Sequence, residues 1–307
     1  MVKLDSAIWK FLISCILTLV FILTPCCSDV SRNVQESKKI EVFVSILPLK
    51  TFVDRVGGKY INVSVMVGQG QSPATYEPYP KQLIALSESK LYFRIGVPFE
   101  KAWISKIQQA NLSMKIIDVC NGINLRDMES HLLSDPESSE GHVHPPGDKD
   151  PHTWLSPPLV KIMAKNIADA FSRLDAEHKT YYEKNLESFT NELDNLDREI
   201  KDIFKNIKQR KFLVFHPSWG YFAEEYGLKQ IPIEVEGKEA SGKELVEIIE
   251  LAKKENFKII FVQKQFSKKQ AQTVAHAIGG EVIPVDPLAA DYFDNLLNTA
   301  KTFVKVL

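Results

Sequence analysis

The feature that most constrains this chain is an alternation. Short runs rich in β-branched and aromatic residues fall at 41–46, 63–67, 91–95 and 115–118, and again at 212–215, 230–233, 259–262 and 282–285. Stretches with helical apolar spacing lie between and after them, at 50–56, 80–86 and 100–110, then at 221–226, 242–255, 268–278 and 292–306. Strands separated by helices cannot pair through tight hairpins, so they pair in parallel, with the helices covering the sheet faces. The expected fold class is α/β, with two lobes that each carry a mainly parallel central sheet flanked by helices. A length of 307 residues suits two such units at about 150 residues each.

Between the two sets, residues 158–206 contain no Gly and no internal Pro, and Leu186, Phe189, Leu193, Leu196, Ile200 and Ile203 recur at helical spacing. This stretch reads as helical. At 1.5 Å per residue, 178–206 alone would be about 40 Å long, enough to run beside both lobes as a rigid spacer. The plainer alternative is an amphipathic helix packed on one lobe. The expected organisation is an N-terminal lobe at 40–177, a linking helix at 178–207 and a C-terminal lobe at 208–307.

The first residues concern address rather than fold. Lys3 and Lys10 flank a start that leads into a 13-residue uncharged apolar run from Phe11 to Leu23. A bilayer core needs about 20 apolar residues, whereas 7–15 behind positive charge make a signal-peptide hydrophobic region. Residues 1–25 therefore read as an export signal. The run ends in Leu23-Thr24-Pro25-Cys26, which resembles the lipobox of bacterial lipoproteins, although Pro25 departs from the usual small residue. Lipidation at Cys26, cleavage to a free protein and retention as an uncleaved anchor all stay open. Residues 26–39 are polar and aperiodic after the cysteines and read as a tether to the membrane surface.

Composition narrows the chemistry. Lys plus Arg is 38 and Asp plus Glu is 39, a formal charge of −1, so no basic excess exists to neutralise a phosphate backbone and nucleic acid is not an expected partner. The four cysteines are Cys15, Cys26, Cys27 and Cys120, too few and too clustered for a disulfide framework. Cys120 reads as a small buried hydrophobe. Any metal chemistry must rest on His and carboxylates.

Three of the seven histidines, His131, His142 and His144, lie in the aperiodic segment 131–150, rich in Ser, Pro, Gly and acid. That segment reads either as a weak zinc collector or as a solvated acidic loop. His178 and His276 sit inside helical patterns and read as structural. His152 precedes the helical run at 158, His216 directly follows the strand KFLVF, and Asp286 follows the strand EVIPV. In an open α/β sheet ligands bind beyond the carboxyl ends of strands, so these three are candidates for one crevice. Glu234, Glu236 and Glu239 read chiefly as a solvated loop face, with gating or support of a ligand from behind as the alternative.

The local texture around these positions is specific. Ser72-Pro73-Ala74-Thr75-Tyr76-Glu77-Pro78, Asp150-Pro151-His152-Thr153-Trp154-Leu155, Phe215-His216-Pro217 with Gly220-Tyr221-Phe222, and Val285-Asp286-Pro287-Leu288 occur in this order. Together they resemble the zinc and manganese solute-binding proteins of ABC importers, the cluster A-I or ZnuA-like family, over about residues 40–307. The resemblance implies two α/β lobes joined by one long helix, with the ion in the cleft between them. It implies an extracytoplasmic binding protein, not an enzyme, that delivers its ion to a permease subunit. His152, His216 and Asp286 match the second, third and fourth family ligands. Where the first ligand, a His, is expected, this chain has Ala74, whose methyl group cannot coordinate. Water, His142 or His144 from the loop, or Glu77 are the candidates for that position, and loss or alteration of the site is the further reading.

Two imidazoles and one carboxylate suit Zn²⁺ better than the oxygen-preferring Mn²⁺. Within the resembled family, members that favour manganese tend to have Glu where this chain has His216. Protons compete for the same lone pairs, so binding is expected to weaken as pH falls through the His range near 6.5. Two other readings are kept: a zinc metallohydrolase with an open fourth position, and an adhesin or scaffold that retained the fold without tight metal binding. A location in the periplasm or on the outer face of the cytoplasmic membrane, and a monomer, complete the expectations.

Overall fold

A computed structural model describes residues 38–129, 149–234 and 239–307. The export signal, Cys26, most of the tether, His131, His142, His144 and Glu236 lie outside the described residues. All eight expected strands form: β1 (Ile40–Ile46), β2 (Ile61–Val67), β3 (Leu91–Arg94) and β4 (Lys115–Asp118), then β5 (Lys211–Val214), β6 (Lys229–Pro232), β7 (Ile259–Gln263) and β8 (Glu281–Val285). They make two four-stranded sheets with orders β2-β1-β3-β4 and β6-β5-β7-β8, and every pairing is parallel. In each sheet the chain reverses its direction of travel once, beside β1 in the first and beside β5 in the second. Loops from the carboxyl ends of strands on either side of that point splay apart and leave a crevice.

The crossovers are α1 (Leu47–Gly57), α2 (Pro80–Leu86) and α3 (Pro98–Ala110) in the first half. In the second half they are α6 (Gly220–Glu225), α7 (Gly242–Lys254) and α8 (Lys269–Ile278), with α9 (Tyr292–Val304) last. Pro at the first turn of α1, α2 and α3 costs no hydrogen bond and presets the helical φ.

The helical stretch in the middle is two helices, α4 (Pro157–Leu174) and α5 (Lys179–Ile203), that pack against each other. The break falls at Asp175, which leaves the helical region with φ −135° and ψ 73°. Its carboxylate accepts from Tyr182 Oη at 2.6 Å and from His178 Nδ1 at 2.8 Å, so a short acidic side chain competes successfully with the helix ladder. His178, stacked on Tyr60, is thus structural, as expected, and His276 is an exposed residue of α8.

With 25 residues, α5 is about 38 Å long, and it touches both halves. Near its start Asn185 Nδ2 donates to the Val56 carbonyl at 3.0 Å, and Glu192 pairs with Arg55. Near its end Asp197 accepts from Tyr226 Oη at 3.2 Å, Lys201 pairs with Glu225 at 3.0 Å, and Phe204 meets Phe222. Packing on one lobe alone is therefore not the arrangement found.

The main core is continuous from the first sheet through α5 to one face of the second sheet. Phe52, Phe93, Phe171, Phe189, Phe222, Phe261 and Phe303 belong to it. A second, smaller core covers the other face of the second sheet. The period of two along β5 divides them: Phe212 and Val214 face the first, Leu213 and Phe215 the second.

Candidate metal centre

His216 sits two residues past β5, on a turn held by buried amides. Gln263, at the end of β7, donates through Nε2 to the His216 carbonyl at 2.5 Å and to Ser218 Oγ at 2.7 Å. Gln230, on β6, accepts from Trp219 N at 2.9 Å and donates to the Pro217 carbonyl at 3.1 Å. The ring stacks on Phe266, and its Nδ1 lies 2.6 Å from Glu234 Oε1. A carboxylate can only accept, so Nδ1 carries the hydrogen and the Nε2 lone pair remains for an electrophile.

His152 is held the same way by different means. Asp150 Oδ1 accepts from the His152 backbone N–H at 2.9 Å and from ring Nδ1 at 2.7 Å. Burial lowers the His152 pKa, with Asp150 opposing that effect, and the ring is available as a neutral donor. Asp150 is itself fixed from the second half: Tyr221 Oη donates to its carbonyl at 3.0 Å and accepts from Arg126 N at 3.0 Å. Beside it, Arg126 Nη1 and Asp150 Oδ2 are buried without a hydrogen-bond partner. A Cβ on Gly220 would sit 2.1 Å from the first and 2.8 Å from the second, so a side chain there would have to displace the guanidinium. Trp154 Nε1 donates across to the Pro287 carbonyl at 2.7 Å.

The two rings meet, with centroids 5.2 Å apart at 69°, and both line one pocket of about 120 Å³ with Ala74, Gly96, Trp154, Gln265, Phe266 and Leu288. The wall at Gly96 is set by Glu100, whose carboxylate accepts from Gly96 N at 2.6 Å and Ile95 N at 3.3 Å. Burial raises the Glu100 pKa. The Phe99 N–H, donating to the Pro73 carbonyl at 3.0 Å, ties the loop of Ala74 to the same wall.

Asp286 has partners of its own in the second half. Asp286 Oδ1 accepts from Gln265 Nε2 and from Leu288 N, each at 3.0 Å, while Oδ2 lies 3.4 Å from Lys264 Nζ. Asp286 is not among the residues that line the pocket with the two imidazoles, although its neighbours Pro287 and Leu288 are. Among the described residues, no group of three or more His, Cys, Asp or Glu is arranged to hold a metal ion. Glu77 is exposed and lines a separate hollow with Gln71, Thr75 and Tyr79.

Glu234 departs from its main reading and takes the lesser one, support of a ligand from behind. It is 4 % exposed, not part of a solvated face, because β6 lies beside β5 and delivers its end to the His216 ring; Glu239 is exposed. Of the polar residues that brace the site, Gln230, Gln263 and Glu234 stand in or just past short strand runs, and Asp150 stands in Asp-Pro-His. Cys120 is buried as expected, and that burial raises its thiol pKa to about 12.

The sequence pattern of the family described as ZnuA, zinc-uptake complex component A periplasmic, matches residues 42–306. The high-affinity zinc uptake system protein ZnuA of Bacillus subtilis is 28 % identical over 271 residues, 85 % of this chain and 83 % of that one. The manganese ABC transporter substrate-binding lipoprotein PsaA of Streptococcus mitis is 29 % identical over 273 residues, 85 % of this chain and 84 % of its own. A crystal structure of ZnuA superposes with a TM-score of 0.81 at 42 % identity, covering 88 % of this chain and 99 % of that one. With two parallel sheets, a long helix beside both and paired imidazoles between them, the chain belongs to the ZnuA family of zinc-uptake components.

Proposed function

We propose that this protein is the extracytoplasmic binding component of an ABC importer, that its cargo is Zn²⁺, and that it acts by coordination and handover rather than by catalysis. The single observation that carries the reading is the matched pair of carboxylates. Asp150 and Glu234, both buried, each take the Nδ1–H of one imidazole, at 2.7 Å and 2.6 Å. A carboxylate behind an imidazole fixes the tautomer, aims Nε2 and raises its basicity, which is how metal-binding histidines are held. Two such rings whose centroids are 5.2 Å apart are close enough to share one cation.

His152 and His216 are then the principal ligands, with Asp286 as the third. Bound zinc competes for Asp286 with Lys264 and Gln265, which hold it at 3.4 Å and 3.0 Å. Imidazole donors favour zinc over manganese. Asp150 and Glu234 are both occupied in holding rings, and no carboxylate lines the pocket among the described residues, so no general base stands where hydrolysis would need one. Export on the leading segment, anchoring through Cys26, docking on a permease subunit and action as a monomer complete the proposal. Among the described residues no helix is long and apolar enough to cross a membrane.

Calorimetry with Zn²⁺ tests it. His216→Ala is expected to weaken zinc binding by more than the 10–100-fold that loss of a carboxylate behind a ligand costs, and His142→Ala to leave it within a few-fold. Equal losses would move the site into the loop and overturn the assignment.

A further inference from the structure

The pocket wall contains a third polar side chain held in the same way as the two imidazoles. Gln265 stands two residues past β7 and lines the pocket with His152, His216 and Ala74. Its amide lies 3.0 Å from Asp286 Oδ1. An ionised carboxylate can only accept, so the amide atom facing it is Nε2 and the other is the carbonyl Oε1. Oε1 is buried without a hydrogen-bond partner. Of the seven buried side-chain nitrogen and oxygen atoms in that condition among the described residues, it alone belongs to a residue lining the pocket. A buried acceptor to which nothing donates is uncommon in folded proteins and calls for a partner such as an ion. The arrangement occurs three times: His152 gives a hydrogen to Asp150, His216 to Glu234 and Gln265 to Asp286. Each donor side chain lines the pocket and none of the three carboxylates does. Each donor thus keeps one lone-pair atom, Nε2 on the rings and Oε1 on the amide, and the carboxylate behind it makes that atom more basic.

We propose that Gln265 is a further metal ligand, its Oε1 completing the shell that Ala74 leaves one donor short. The inference rests on the zinc-receptor reading and deepens it. The two rings supply two nitrogens, and Gln265 and Asp286, tied to each other, supply two oxygens, which makes the four donors of tetrahedral zinc. Phe266, the next residue, stacks on the His216 ring, so the segment after β7 carries the amide and backs one ring at once.

Two substitutions with effects of different sign test it, by calorimetry with Zn²⁺ in the presence of a competing chelator. Gln265→Met keeps the side-chain length and removes both amide atoms, and it is expected to weaken zinc binding at least about tenfold. Gln265→Glu keeps an oxygen donor, adds negative charge for the cation and cannot donate to Asp286. It is expected to bind zinc at least as tightly as the unaltered protein, while the denaturant midpoint of the apoprotein falls because two carboxylates then adjoin. A residue that merely held Asp286 in place would do the opposite: Gln265→Glu would weaken zinc binding as much as Gln265→Met, and that result would overturn the ligand role. Zinc binding unchanged in Gln265→Met but lost in His216→Ala would also overturn it and leave the receptor reading standing. An unaltered protein that retains no zinc would overturn both. Circular dichroism of the apoproteins separates lost binding from lost fold. A zinc-loaded crystal of the unaltered protein is expected to place Gln265 Oε1 about 2.0–2.2 Å from the ion, and a water in its place would refute the assignment.

Discussion

The two imidazole cradles reach the same chemistry by opposite routes. In the first, Asp150 and His152 are two residues apart, and one carboxylate oxygen grips both the backbone and the ring. In the second, Glu234 is 18 residues from His216 and reaches it only because β5 and β6 are sheet neighbours. The first cradle is a loop motif set beside the main core; the second is assembled by the sheet, with two buried glutamines bracing the turn. A local cradle keeps its geometry wherever the loop goes, whereas a sheet-built cradle keeps it only while the strands stay in register. The first is in turn fixed by the second half, through Tyr221 and the close approach of Gly220, whereas the partners that hold the second ring belong to its own half.

That contrast can be broken most sharply at the carboxylates. Asp150→Asn is expected to cost zinc affinity toward the upper end of 10–100-fold and Glu234→Gln toward the lower end, measured by calorimetry. The reason is that Asp150 serves backbone and ring and stands beside Arg126, while Glu234 serves the ring alone. Thermal unfolding should separate them further, with the apoprotein stability falling in the first variant and nearly unchanged in the second. A larger loss at Glu234 would mean that the sheet-built cradle, not the loop motif, dominates.

Gly220→Ala probes how closely the halves must meet. A methyl group 2.1 Å from Arg126 Nη1 must displace the guanidinium, and overpacking of this kind costs about 1–3 kcal/mol. The readout is the denaturant midpoint, with zinc affinity falling in parallel because Asp150 shifts with Arg126. Stability lost without any change in affinity would uncouple His152 from the second half. Tyr221→Phe should be mildest, costing about 0.5–1.5 kcal/mol for hydrogen bonding to one hydroxyl. It removes the link between Asp150 and α6 while leaving the ring, and it sharpens the comparison if zinc release becomes faster with the unfolding midpoint little altered.

The strands were legible because each is a short run of β-branched or aromatic residues bounded by turn residues, and burial on both faces leaves the central runs few alternatives. The helices followed from their apolar spacing. The continuous helical reading of 158–206 missed Asp175, since a single acid in a Gly-free run carries no signal until Tyr182 and His178 fold back onto it. His152 and His216 were legible from place: one stands in a compact Asp-Pro-His motif and the other just past a strand. Glu77 looked equally available in one dimension, and only the turn geometry shows that it faces a different hollow from Ala74.

By itself, then, the sequence determined the parallel α/β plan, the two histidines and the absence of a side-chain donor at Ala74, because these follow from residue type and from spacing within about ten residues. Tertiary structure alone decided that Glu234 is buried behind His216, that Gly220 faces Arg126 and Asp150 at close range, and that Asp286 is held by Lys264 and Gln265. Each of those outcomes depends on which strands become neighbours and how closely the halves approach. Such contacts join residues far apart in the chain, and their energies exist only once the sheets have formed.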